Sequence, residues 1–258
     1  MLSQGKDLSK KIMKYHNIPT PAFVVVPIGR KAKRPKRLKF PLIVKSVTED
    51  ASAGISQNSV VDTDEKLEER VAFIHDRIGT AAIVEQYIDG REIYVGVLGN
   101  DRLTALPIWE LKFTALAAGA LPIATEHVKH NVEYQKKRGV IDGLADDLTP
   151  TLTNKIRDMV KRCCRVLEID GYARIDLRLD AKGTPYFIEA NPNPEIASSE
   201  ELAQSALHDG IAYPDLLNRI LQLGLQRAGK EIVYVERPSL RPHRRTVMVA
   251  SDIAAVRE

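Results

Sequence analysis

The sequence has little cysteine and no long apolar run, and these two absences exclude whole classes of protein. Only two cysteines occur among 258 residues, adjacent at Cys163 and Cys164 inside a helical pattern. This arrangement argues against a disulfide framework and against a zinc site. No apolar segment is long enough to span a bilayer, and the polar N-terminus lacks the apolar core of a secretory signal. We therefore expect a cytoplasmic protein without a membrane partner.

Neither the charge nor the polar residues point to a nucleic-acid binder or to a nucleophilic enzyme. The net charge is only +4, although a dense basic run covers Arg30–Lys39 and a second patch covers Arg237–Arg245. The first run has no interleaved aromatic residues on which bases could stack. A solvated loop is therefore favoured, and nucleic-acid binding remains a weaker alternative. No Ser-His-Asp or Cys-His arrangement indicates a covalent nucleophile.

Hydrophobic periodicity predicts a mixed α+β protein with two lobes. The predicted helices cover Leu8–His16, Asp64–Arg77, Thr151–Leu167, Glu200–Leu207 and Tyr213–Leu225. The predicted strands cover Ala22–Val26, Phe40–Lys45, Ala81–Tyr87, Glu92–Leu98 and Leu103–Leu106, before a stretch, Lys112–Gly143, that is predicted to be mostly loop. This order indicates a leading helix and linker (1–17), one α+β lobe (18–89), a second (90–228) and a tail (229–258), with a cleft between the lobes.

The most specific pattern is a predicted hairpin that carries opposed acidic residues. Its first arm alternates charged and apolar residues, Lys182-Gly183 marks the turn, and an apolar second arm ends in polar residues. If Asp180 faces residue 185, then Asp176 lies opposite Glu189, and the same register places Arg174 opposite Asn191. Like charges that face each other in a sheet repel, so a cation between them is expected. Carboxylate and amide oxygens suit Mg²⁺ or Mn²⁺. An exposed acidic rim is the alternative.

The two arms, Gly171-Tyr-Ala-Arg-Ile-Asp176 and Phe187-Ile-Glu-Ala-Asn-Pro-Asn-Pro194, resemble the magnesium-binding hairpin of ATP-grasp enzymes, most of all the D-alanine–D-alanine ligase branch. The resemblance implies the ATP-grasp fold, with the nucleotide in the cleft between the two lobes. It also implies that Asp176, Glu189 and Asn191 hold Mg²⁺ against the ATP phosphates. By the same resemblance, Arg174 contacts the γ-phosphate and the forming acyl phosphate.

The resemblance also implies further ATP contacts along the chain. A lysine that leaves an apolar strand beside a loop of small residues can bind a polyphosphate. Lys45 stands at such a position. In the resembled family, backbone groups at the junction of the lobes read adenine, and a glutamate that follows binds the ribose. The positions that correspond are Lys6, Lys45 and Ser52 for phosphate, Lys129 as a second catalytic residue with Arg174, Glu85, Gln86, Tyr87 and Ile88 for the adenine edge, Ile43 and Ile188 for the adenine walls, and Glu92 for the ribose.

The implied reaction is the ATP-dependent joining of a small-molecule carboxylate to an amine through an acyl phosphate. Among the departures from the family pattern, Glu195 stands where a glycine is usual and Glu200 where a serine is usual. Two acids at this place would suit a cationic or amine-rich substrate better than D-alanine. The chain also begins at the helix that follows the N-terminal domain of the ligases. An ATP-binding module that needs a partner chain, or a homodimer, is therefore the alternative.

Overall fold

The computed structural model describes residues 2–3, 5–49, 55–116, 119–125, 128, 133, 135 and 138–229, and the backbone of 232–235 and 246–249. Its helices are α1 (Lys6–Tyr15), α2 (Asp64–Phe73), α3 (Pro150–Val166), α4 (Glu201–His208) and α5 (Tyr213–Arg227), and a π-helical turn (Ile74–Ile78) continues α2. Its strands are β1 (Phe23–Val26), β2 (Leu42–Ser46), β3 (Val60–Val61), β4 (Ala82–Gln86), β5 (Arg91–Gly99), β6 (Thr104–Phe113), β7 (Val140–Leu144), β8 (Gly171–Leu179), β9 (Pro185–Asn191), β10 (Ile232–Val235) and β11 (Thr246–Val249). This mixture confirms the predicted α+β class.

Capping residues explain where two of the predicted helices begin. The Thr149 hydroxyl accepts a hydrogen bond from the N–H of Leu152, and Pro150 follows in the first turn of α3, where its missing N–H needs no partner. Thr63 caps α2 in the same way, by accepting from the N–H of Lys66. Both helices are confirmed with small shifts at their ends.

Two antiparallel sheets form the centres of the two lobes. The first has the strand order β1-β4-β2-β3, and the second has the order β7-β6-β5-β8-β9. On the first sheet, Leu67 and Val71 of α2 share a core with the strand residues. The second sheet is covered by α3 and α4, which contribute to separate cores. Gly96 on β5 lets α4 approach closely, since a Cβ there would lie 2.6 Å from the Leu202 Cδ1.

The predicted loop over Lys112–Gly143 is wrong at both of its ends. Strand β6 continues to Phe113, well beyond the predicted Leu103–Leu106, and β7 begins at Val140 and pairs with β6. Strand β7 lies at the edge of its sheet and most of its residues are exposed or half-buried. It therefore lacks the apolar alternation by which a strand is recognised. In the predicted tail, β10 and β11 pair as a separate antiparallel hairpin.

Helix α1 contacts both sheets. The N–H of Lys6 donates to the carbonyl of Val47, directly after β2, at 3.0 Å. Met13 lies in the core beneath the five-stranded sheet, and α1 packs against β9. Where the helices are described, none has the length and apolarity that crossing a bilayer requires.

Candidate active site

A β-bulge sets the register of the hairpin formed by β8 and β9. Asp176 pairs with Glu189 and Arg174 pairs with Asn191, as predicted. At the turn, however, residue 185 faces Leu179 and not Asp180, so that part of the prediction is wrong. The side chain of Asp180 instead accepts hydrogen bonds from the N–H groups of two turn residues, Lys182 (2.9 Å) and Thr184 (2.8 Å). This lengthens the loop by one residue, and the bulge on β9 restores the predicted register at the acids.

The predicted metal residues form a set of hard oxygen donors that cations already surround. The Asp176 carboxylate is buried and accepts from Arg174 Nε at 2.8 Å and Nη2 at 3.0 Å, and from Asn191 Nδ2 at 3.2 Å. Lys6 Nζ lies 3.3 Å from Glu189 Oε2. In the described part of the chain, no group of three or more His, Cys, Asp or Glu residues forms a metal cluster. Two carboxylates and an amide oxygen nevertheless match the donor chemistry that Mg²⁺ prefers.

Arg174 connects this donor set to helix α4. Its Nη1 lies 3.1 Å from Glu201 Oε2, and its guanidinium lies 4.9 Å from the centre of the Tyr94 ring. Burial alone would lower the pKa of Arg174, but the carboxylates of Asp176 and Glu201 outweigh burial and hold the pKa well above its ordinary value. The guanidinium is therefore a permanent positive charge between two acids.

A second charged cluster is almost completely buried. Glu85 on β4 forms ion pairs with Lys10 of α1 at 3.1 Å and with Lys45 of β2 at 3.5 Å. Burial acts to raise the pKa of Glu85, but the two ammonium groups outweigh it and hold that pKa below its ordinary value. Burial lowers the pKa of Lys10, which is fully enclosed. Glu85 thus fixes the end of Lys45, the predicted phosphate ligand.

The segment that joins the lobes already uses part of its backbone for internal hydrogen bonds. The N–H of Gln86 donates to Ala22 O at 2.8 Å, and the N–H of Tyr87 donates to Pro41 O at 3.1 Å. The Gln86 side chain bonds to the backbone of Lys39 and Pro41, so its polar atoms are already engaged. Any adenine contact from this segment must therefore use its other backbone groups.

One cleft brings most of the predicted residues together. It holds about 730 Å³ of empty space, part of it open to solvent. The predicted residues that line it are Lys6, Ile43, Lys45, Glu85, Gln86, Tyr87, Ile88, Glu92, Asp176, Ile188 and Glu189. Arg174 and Asn191 do not line the cleft themselves, but both donate hydrogen bonds to Asp176, which does. Ser52 and Lys129 lie outside the described residues. One part of the lining, called the charged end, is formed by the ion pairs Lys6–Glu189 and Lys45–Glu85. Ile43, Tyr87 and Ile123 form an apolar group that adjoins the Arg178–Glu92 ion pair. Such a mixed lining suits a nucleotide.

Sequence reasoning missed two buried cations, Arg178, which lines this cleft, and Lys10, which pairs with Glu85 of the lining. Lys10 lies four residues after Lys6 and so shares its face of α1, and Arg178 lies two residues after Asp176 and so shares its face of β8. The periodicity that placed Lys6 and Asp176 therefore contained the signal for both. It was missed because lysine and arginine on regular elements are usually exposed.

Of the two acids that depart from the family pattern, Glu200 lies near Arg174 and also near the other acid, Glu195. Burial raises the pKa of Glu200, the nearby carboxylates of Glu201 and Glu195 raise it further, and Arg174 opposes them. Asp142 of β7 adds to the same effect. The result is a concentration of negative charge next to the candidate metal residues.

Comparisons with known proteins agree on one family. The family model described as "D-ala D-ala ligase C-terminus" matches residues 12–222. An "Uncharacterized protein y4sG" of Sinorhizobium fredii is 31% identical over 88% of this chain and 64% of its own length. A D-alanine–D-alanine ligase of Pelotomaculum thermopropionicum is 26% identical over 88% of this chain and 70% of its own. The chain thus spans about two thirds of the length of these relatives.

A solved structure shares the fold. The D-alanine–D-alanine ligase from Bacillus anthracis, complexed with ATP, superimposes with a TM-score of 0.70. The two chains are 23% identical, and the match covers 88% of this chain and 68% of that one. At this level of identity the likeness shows the fold alone.

Proposed function

The chain belongs to the family of D-Ala–D-Ala ligase C-terminal domains and has the ATP-grasp fold, and from this premise we propose that it is an ATP- and Mg²⁺-dependent carboxylate–amine ligase. The observation that supports this proposal most strongly is the pairing of Asp176 with Glu189 at the charged end of the cleft. Opposed carboxylates at a polyphosphate site are expected to share divalent cations.

The charged end and the apolar group of the lining would divide the nucleotide between them. Lys45 and Lys6 would bind phosphates, because they reach the charged end, and Glu92 would bind the ribose. Ile43 and Ile188 would enclose the adenine, whose edge the backbone of the joining segment would read. Asp176, Glu189 and Asn191 would hold Mg²⁺, which when bound neutralises phosphate charge. Ser52 and Lys129 remain predicted contacts.

The proposed reaction has two steps. A carboxylate oxygen of the first substrate attacks the γ-phosphorus, and the bond between the γ-phosphorus and the bridging oxygen of the β-phosphate breaks. ADP leaves, and the first substrate becomes an acyl phosphate. The amine of the second substrate then attacks the acyl carbon, inorganic phosphate leaves, and an amide forms as the nitrogen loses a proton. Arg174 would contribute a fixed positive charge toward the transferring group, since the chemistry asks for positioning and charge stabilisation more than for covalent catalysis.

The acids Glu195 and Glu200 support a cationic or amine-rich acceptor. An anionic substrate terminus would meet Glu195 and Glu200, and repulsion there would oppose its binding. We expect Glu200→Gln to weaken the use of a polyamine acceptor, measured as a rise in the KM for that acceptor. Efficient use of D-alanine as acceptor by the unmodified protein would contradict this substrate class.

ADP release from Mg-ATP tests the proposed reaction. The assay would use a panel of amino acids, polyamines and dipeptides, offered singly and in pairs, because a ligase should need both an acid and an amine. Glu189→Gln should lower the rate by about 100-fold or more, since it removes a proposed ligand of the Mg²⁺ that would neutralise the charge of the transferring phosphoryl group. Glu69→Gln, a change at an exposed residue of α2, is the matched control. Tight binding of Mg-ATP without turnover would favour the alternative of a module that needs a partner chain.

A further inference from the structure

Arg178 has an unusual set of partners for a side chain that is almost completely buried. It lies on β8, is 7% exposed, and lines the cleft two residues from Asp176. A guanidinium has five N–H donors, and here each finds an acceptor. Nε donates to Ile88 O (3.1 Å), Nη1 to Glu92 Oε2 (3.2 Å) and Pro122 O (2.8 Å), and Nη2 to Tyr87 OH (3.2 Å) and Gly90 O (2.9 Å).

These acceptors belong to three stretches of chain that form one wall of the cleft. Tyr87, Ile88 and Gly90 lie in the segment that joins the lobes, Glu92 lies at the start of β5, and Pro122 lies in the stretch 119–125 that follows β6. Carbonyl groups in such connections have no sheet ladder to satisfy them. The planar guanidinium of Arg178 bonds to all three stretches and therefore holds them at a fixed spacing.

Arg178 also fixes the direction of the Glu92 carboxylate. Glu92 Oε2 accepts from Arg178 and from the N–H of Ala124 at 3.2 Å, while Oε1 accepts from the Tyr94 hydroxyl at 2.8 Å. A carboxylate offers about four lone-pair sites, so three of these are occupied and the remaining acceptor direction is well defined.

We propose that Arg178 is a positioning residue for the nucleoside end of the bound nucleotide, acting through the joining segment and Glu92. The inference rests on the proposed function only in naming a nucleotide as the ligand. Lys6 and Lys45, which lie at the charged end, are not among the contacts of Arg178. Loss of Arg178 should therefore weaken contacts to the nucleoside and leave contacts to the polyphosphate unchanged.

The test compares two ligands on the full chain by isothermal titration calorimetry with Mg²⁺ present. ATP carries a nucleoside and a polyphosphate, whereas inorganic tripolyphosphate lacks the nucleoside. Arg178→Met should weaken ATP binding by about 10-fold or more, the scale of a lost charge-assisted hydrogen bond. Tripolyphosphate binding should stay within about twofold of the original. Arg178→Lys keeps the charge but has only three donors, so it should recover part of the ATP affinity.

Arg91→Met is the matched control. Arg91 is also ion-paired, to Glu110 at 2.5 Å and to Asp147 at 2.6 Å, and it lies on the neighbouring strand β5 outside the cleft lining. Its loss should change neither affinity. An unchanged ATP affinity in Arg178→Met, or an equal loss for both ligands, would overturn the proposal, because an equal loss indicates a general weakening of the fold.

Hydrogen–deuterium exchange separates a failure of this inference from a failure of the proposed function. In the ligand-free chain, Arg178→Met should speed exchange of the amides in 87–92 and 121–125 more than elsewhere, and Arg91→Met should not. If the unmodified protein bound neither ligand, the nucleotide function would fail, and the exchange data alone would decide whether Arg178 organises this wall. Unchanged exchange in both segments would refute that role.

Discussion

At the scale of single residues, the ion pair between Lys10 and Glu85 places two charges in the interior beside the cleft. Both side chains are almost completely enclosed, and the Lys10 ammonium also lies 3.4 Å from the carbonyl of Phe187 and 5.7 Å from the centre of its ring. Each charge depends on the other, because an unpaired charge in the interior carries a large desolvation penalty. Such a pair is retained where the geometry of a site needs it, and here Glu85 also holds Lys45.

Lys10→Met should therefore destabilise the protein strongly. It leaves Glu85 buried with only the more distant Lys45, and we expect the free energy of unfolding to fall by about 3 kcal/mol. The measurement is urea denaturation followed by circular dichroism. Lys11→Met, at an exposed position one residue later, should change that free energy by no more than about 0.5 kcal/mol. Equal losses in the two variants would show that the buried pair contributes nothing specific.

At the scale of elements, the sequence predicted the hairpin better than its turn. The alternation in β8 placed Asp176 opposite Glu189 and Arg174 opposite Asn191, and both pairs are present. The turn was mispredicted because the side chain of Asp180 bonds to the turn backbone, and the compensating bulge has no marker in the sequence. Strand β7 was missed for a related reason, since its exposed edge position leaves no hydrophobic period to read.

The two cysteines of α3 predict how stability depends on alkaline pH. Burial raises the pKa of Cys164 to about 12, and burial also raises the pKa of Cys163. In the unfolded chain a thiol ionises near pH 8.5, so above about that pH the unfolded state loses protons first and the free energy of unfolding falls as pH rises. The double variant Cys163→Ala, Cys164→Ala should show a shallower fall between about pH 8.5 and 10.5. Urea denaturation under reducing conditions measures both slopes, and parallel curves would contradict the prediction.

At the scale of the whole molecule, α1 joins the two sheets into one structural unit. Its Lys10 pairs with Glu85 of the four-stranded sheet, while Met13 lies in the core beneath the five-stranded sheet. The predicted division made residues 1–17 a leading segment, because a short amphipathic helix does not reveal from its own sequence that it packs against two partners. Only the assembled fold shows that a nucleotide site between the lobes would be framed by a helix that contacts both.

This coupling predicts that the two lobes unfold together. Trp109 is the single tryptophan and lies on β6 of the five-stranded sheet, so its fluorescence reports on that lobe, whereas circular dichroism reports on both. Because α1 transmits the loss of either sheet to the other, urea midpoints from the two signals should coincide in the unmodified protein. Lys10→Met removes the ion pair with Glu85 of the four-stranded sheet and leaves Met13 in the core of the five-stranded sheet. The coupling should therefore weaken and the two midpoints should separate, with the fluorescence change at the higher urea concentration. Coincident midpoints in the variant would mean that the lobes are coupled through the hinge and the sheet contacts, and that α1 only supplies charge to the cleft.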